Sequence, residues 1–124
     1  MLERRHITSL DGARKAQIVA SDDLIFLSGM QSDTTDGDIK DQMRGALKNV
    51  DAALSEMGED QGSIFMVHVW LKDMRYFGAM NAIWNEWADA ENPPARTCVS
   101  GELYRPDLLV EVVVTACRTA GRRA

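Results

Sequence analysis

The segment Ser63 to Leu71 constrains the fold more than any other stretch of this chain. Phe65, Val67, Val69 and Leu71 fall on one face of an extended strand and Ile64, Met66, His68 and Trp70 on the other, so apolar groups occupy both sides. Side chains alternate with a period of two in a strand, and one that is apolar on both faces is covered from above and below. Only two other segments have helical spacing, and two helices cover one face of a sheet this size. The second face is therefore expected to be covered by another subunit.

The helical segments are legible from their spacing and their ends. From Ile39 the apolar residues Met43, Leu47, Val50 and Leu54 recur at three- and four-residue steps, with Asp38 placed to cap the start and Gly58 to end the run. Phe77, Met80, Trp84 and Trp87 repeat the pattern before Asn92-Pro93-Pro94 breaks it, and the two tryptophans are read as core or interface. Ahead of these, residues 4 to 10 and 16 to 20 and the run Leu24 to Gly29 are short strands, with Asp22-Asp23 as a turn and polar turn formers from Gln31 to Asp38. Two further strands follow, Pro93 to Val99 and Leu109 to Val114. The order β-β-β-α-β-α-β-β over 124 residues predicts one α+β domain spanning 1-124, with two helices on one face of a sheet.

Two charges in the last two strands resist explanation as packing. Arg96 lies in Pro-Ala-Arg-Thr-Cys-Val, and Glu111 stands alone among valines, where an unpaired carboxylate costs several kcal/mol to bury. If Gly101 to Pro106 turns between antiparallel strands, the pairing that sets Ser100 opposite Asp107 sets Arg96 opposite Glu111. Such a pair is either a cross-strand ion pair or part of a site. Burial would raise the glutamate pKa and an arginine neighbour would lower it, and the two effects oppose.

Pro94-Ala95-Arg96-Thr97-Cys98-Val99, followed by Val110-Glu111-Val112, resembles the signature of the RidA (reactive intermediate deaminase, YjgF-like) family. Leu24 to Gly29 is similar to its strand closing on Ser-Gly, Val69 to Asp73 to its strand ending in Lys-Asp, and Met80-Asn81-Ala82 to its helix-borne Asn-Ala. The resemblance spans roughly residues 15 to 118 and implies a chorismate-mutase-like fold with a mixed sheet, assembled as a homotrimer with sites in the clefts between subunits. It also implies an activity: hydrolysis of 2-aminoacrylate and related 2-imino acids to 2-oxo acids and ammonia. In the roles it implies, Arg96 binds the substrate carboxylate, Glu111 activates water, and the main chain of Cys98 positions the substrate or its water. Ser28, Gly29 and Asn81 complete the binding residues, although Asn81 read by itself is a polar residue on a helix face. Many members carry a tyrosine where this chain has Lys15, so Lys15 is expected to bear on substrate choice.

Other readings of the same residues stay open. A trimer that binds a small carboxylate without catalysis needs Arg96 but not Glu111 as a base, and a chorismate-mutase-like isomerase needs several cations, which Lys15 would favour. Cys98 has no recognisable base beside it and reads as a small apolar residue, as does Cys117; neither has zinc-ligand spacing. No metal cluster or phosphate loop is present in the sequence, so no cofactor is expected. The net charge of -5 argues against nucleic-acid binding, and no run is long and apolar enough for a leader or a membrane span, which makes the cytoplasm the expected location. Arg118, Gly121, Arg122 and Arg123 are expected to form a flexible basic tail over 118-124.

Overall fold

The computed structural model describes residues 1–9 and 12–119. Strands β1 (Glu3–Thr8), β2 (Lys15–Ala20) and β3 (Leu24–Leu27) form an antiparallel meander, followed by α1 (Ile39–Glu56), β4 (Ile64–Leu71), α2 (Phe77–Trp87), β5 (Ala95–Ser100) and β6 (Val110–Cys117). All six strands belong to one sheet ordered β1-β2-β3-β6-β4-β5, mixed because β5 runs parallel to β4 while the other pairs are antiparallel. Both helices lie on one face. The expected α+β order is the observed one.

α1 begins where its sequence says it should. Asp38 accepts from the Asp41 amide at 2.9 Å while Asp41 accepts in return from the Asp38 amide at 3.2 Å, a reciprocal cap that satisfies two otherwise orphaned donors. Past its end Gly58 takes φ 75°, a left-handed conformation that glycine adopts without strain. Met43, Leu47, Val50 and Leu54 are all buried against the sheet. Gln42, buried on the same helix, donates to the carbonyls of Thr35 and Asp107 and accepts from the Leu109 amide, which pins the loop leading into β6 onto α1.

β4 departs from the expected alternation at its first turn. A bulge between Ile64 and Met66 shifts the register, so Ile64 is buried with Val67, Val69 and Leu71, whereas Phe65 is 54% exposed. Beyond the bulge one face is dry and the other, with His68 and Trp70, is open in the single chain.

The expected hairpin between the last two strands does not form. β5 pairs with β4 alone, at the edge of the sheet, and β6 inserts between β3 and β4, so Arg96 lies beside Val67 and Glu111 beside Trp70. The composition of each strand explains the choice. Val110, Val112, Val114 and Ala116 of β6 are fully buried and favour a central place, whereas β5 follows two prolines and leaves Thr97, Val99 and Ser100 exposed, which suits an edge. Arg118, expected in a flexible tail, donates to Glu3 at 2.7 Å and to the Ser21 carbonyl at 3.1 Å; Gly121, Arg122 and Arg123 lie outside the described residues.

Candidate active site

Arg96 and Glu111 occupy opposite faces of the sheet. Arg96 shares the helix-covered face with its register partner Val67, and Glu111 shares the open face with Trp70. Three residues along β4 also separate their partners, about 10 Å at strand rise. They are therefore not a cross-strand ion pair, and a single chain presents them as two half-sites.

The Arg96 half is built on α2. Phe77, Met80, Asn81 and Trp84 stand at i, i+3, i+4 and i+7, a single stripe of the helix, and all four meet the guanidinium. Its carbon lies 5.0 Å from the Trp84 ring centroid and 5.7 Å from that of Phe77, and Nη1 donates to Asn81 Oδ1 at 2.7 Å. Asn81 thus faces Arg96 and not open solvent alone. Among the described residues Arg96 has no carboxylate partner; its acceptors are Asn81 and the Met80 sulfur at 3.8 Å. Cys98 follows two residues on, half-buried against the core, and burial pushes its thiol pKa up while the charge of Arg96 exerts a smaller pull downward. A raised thiol is a poor nucleophile at neutral pH, which leaves Cys98 its main chain, on an edge strand whose outer side has no neighbour among the described strands.

The Glu111 half is built by an absence. A Cβ at residue 29 would stand 2.5 Å from the Glu111 carboxyl carbon, so only glycine lets the carboxylate lie against this backbone. Gln31 donates to Glu111 Oε1 through its amide, and its own carbonyl accepts from Asn49 of α1 at 2.7 Å. By sequence Gln31 falls among polar turn formers, and its one signal is a polar amide two residues past Ser-Gly. Ser28 is committed to β2, its amide donating to the Gln17 carbonyl at 2.9 Å and its hydroxyl lying 3.4 Å from the same oxygen. Lys15 is exposed at the start of β2, where continuing the register beyond the Ile18–Leu27 pair carries it past Ser28 and Gly29, the two residues that follow β3. Among the described residues no cluster of His, Cys, Asp and Glu suits a metal ion.

A cation without a carboxylate partner among the described residues on one face, and a carboxylate beside glycine backbone on the other, are groups chemically able to bind an anion and to exchange a proton. Comparison with known proteins places the chain in a family. Residues 13–118 match the family model described as endoribonuclease L-PSP. The RutC family protein YoaB of Escherichia coli strain K12 is 30% identical over 104 residues, covering 84% of this chain and 90% of the relative. A RutC family protein of Haemophilus influenzae is 28% identical over 108 residues, covering 86% and 93%. Among solved structures, a member of the YjgF protein family from Neisseria meningitidis superposes with TM-score 0.88 at 31% identity, covering 98% of each chain.

Proposed function

The chain belongs to the RidA/YjgF family, whose model bears the description endoribonuclease L-PSP, and on that premise we propose that it hydrolyses reactive imines and enamines. The substrates are 2-aminoacrylate and related 2-imino acids, and the products a 2-oxo acid and ammonia. The observation that carries this reading is Arg96: a partly buried guanidinium with no acidic partner among the described residues, its planar fork suited to a carboxylate.

The site is completed by a second copy. Because the two half-sites face opposite ways, a ring of three chains that lays the β5 edge of one subunit against the open face of the next brings Arg96 to its neighbour's Glu111. The open face supplies the apolar contact, with Phe26, Phe65, Trp70 and Val99 each at least 40% exposed in the single chain.

In the reaction, Arg96 holds the carboxylate and the Cys98 main chain orients the polar end. Glu111 takes a proton from water as its oxygen bonds to the imine carbon, and the C=N electron pair passes to nitrogen. Glu111 returns that proton to nitrogen, giving the carbinolamine, and then carries the carbinolamine's hydroxyl proton to the amine, so that the C–N bond breaks, ammonia leaves and the oxygen becomes the carbonyl of the 2-oxo acid. An enamine first gains a proton at carbon and gives one up from nitrogen to become the imine. Lys15, if it lines the cleft, adds a second cation and favours imines from acidic amino acids.

The test generates imino acids in place with an amino-acid oxidase and measures ammonia release with and without the protein. Acceleration that depends on Glu111 supports the deaminase. Carboxylate binding without acceleration would make the protein a binding module, and cleavage of RNA in a parallel arm would favour the activity in the family description, against which the net charge of -5 weighs.

A further inference from the structure

The apolar stripe of α2 reads in the sequence as a packing face, and in the structure its middle turns, while joining the core through Met80 and Trp84, also meet one charged side chain. Phe77 and Trp84, two helical turns apart, both lie within cation–π distance of the Arg96 guanidinium, and Met80 and Asn81, between them on the helix, meet its Nη1. Trp84 is only 7% exposed and Phe77 is 38% exposed, so one ring backs the cation from within and the other stands at the rim. A guanidinium on an aromatic face is attracted by the ring quadrupole, more strongly where water is excluded. Asn81, bonded to Nη1, then fixes the rotation that stacking leaves free.

We propose that Phe77 and Trp84 are positioning residues for Arg96: they hold the guanidinium so that Nη1 meets Asn81 and the edge formed by Nε and Nη2 is offered to a planar carboxylate. This deepens, and in its kinetic arm rests on, the reading of Arg96 as the carboxylate-binding group. Two parallel N–H···O bonds need the fork held in one plane. Without the rings, Arg96 loses that orientation while keeping its charge, and selection for a planar carboxylate weakens more than general attraction for anions does.

The first readout needs no substrate. Phenylglyoxal labelling of the peptide carrying Arg96, quantified by mass spectrometry against the peptides carrying the other arginines, reports how freely its guanidinium moves. Phe77→Leu is expected to raise Arg96 labelling about two- to fivefold and Trp84→Leu about five- to thirtyfold, the ranges that loss of an exposed and of a desolvated cation–π contact span, with Trp84→Phe within about twofold of the parent. Phe77 stands at the surface, so Phe77→Leu carries the test even where Trp84→Leu folds poorly. The second readout is kinetic: KM for an imino acid generated in place rises by a similar factor at little-changed kcat, whereas a merely structural loss lowers the active fraction and leaves KM alone. Unchanged labelling in Phe77→Leu, or equal labelling in Trp84→Phe and Trp84→Leu, overturns the proposal. Ring-dependent labelling in a parent that releases no ammonia upholds the positioning and removes the deaminase reading alone.

Discussion

The two faces of the sheet are made by the same strands and differ in almost everything else. On the covered face Val67, Val69 and Leu71 of β4 and Val110, Val112 and Val114 of β6 are buried under α1 and α2 within one chain. On the open face the alternate residues of the same strands include Trp70, His68, Val113 and Glu111, beside Phe65 and Phe26, and aromatic surface remains exposed. The covered face is a finished core; the open face combines apolar surface with polar groups that a core would not hold. The half-sites divide between them. Arg96 is held by packing against a helix, Glu111 by the room beside a glycine and one amide hydrogen bond.

The sharpest test of this division is chemical. Glu111→Ala is expected to lower imine hydrolysis about a hundredfold to ten-thousandfold, the usual worth of a positioned acid-base group, with folding and carboxylate binding kept. Arg96→Ala loses both binding and turnover. Ammonia release and calorimetric titration with a 2-oxo acid separate the two, and full activity in Glu111→Ala would end the assignment of its base.

Next in size is stability. Leu71→Ala, which opens a cavity beneath the helices, is expected to cost about 2–5 kcal/mol in denaturant unfolding. Trp70→Lys, one residue earlier on the other face, is expected to leave helical circular dichroism near that of the parent but to break the proposed trimer, so that light scattering falls from about three chains to one. A stable monomer of the parent at micromolar concentration would refute the covering of the open face by copies.

A smaller effect tests the rim of the Glu111 half. Lys15→Tyr is expected to raise the ratio of turnover on apolar to acidic imino acids a few-fold, the range of one exposed charge contact. An unchanged ratio removes Lys15 from substrate selection.

The smallest effect concerns the far edge, where β1 is tied down by charge. Hydrogen bonds from Arg118 and then Arg5 hold the Glu3 carboxyl below the usual glutamate range, and His6 and then Arg5 do the same for Glu56. A lowered native pKa means that this stabilisation is present above the ordinary glutamate range and is lost as pH falls through the lowered values. Acidification into that range is therefore expected to speed amide exchange in β1 ahead of β4 and β6, measured by hydrogen exchange against pH. Loss of protection in all three strands together would show that these exposed pairs do not anchor the edge.

Sequence alone determined the elements and their kinds, because helical spacing, caps and strand alternation are local and the chain obeys them: Asp38 caps, Gly58 ends the helix, and β4 is apolar on both sides after its first turn. It also singled out Arg96 and Glu111, since lone charges in apolar strands are costly anywhere. Strand neighbours are not local. The sequence-adjacent hairpin that would have paired Arg96 with Glu111 lost to an arrangement that buries all of one β6 face between β3 and β4 and leaves β5 at the edge. That gain in buried apolar area belongs to the whole sheet and appears in no window of residues. Only the tertiary structure could bring Gln31 to Glu111 across the chain, and make the packing stripe of α2 also the seat of Arg96. A side chain's partner depends on what the fold sets across from it, and spacing within one element carries no record of that.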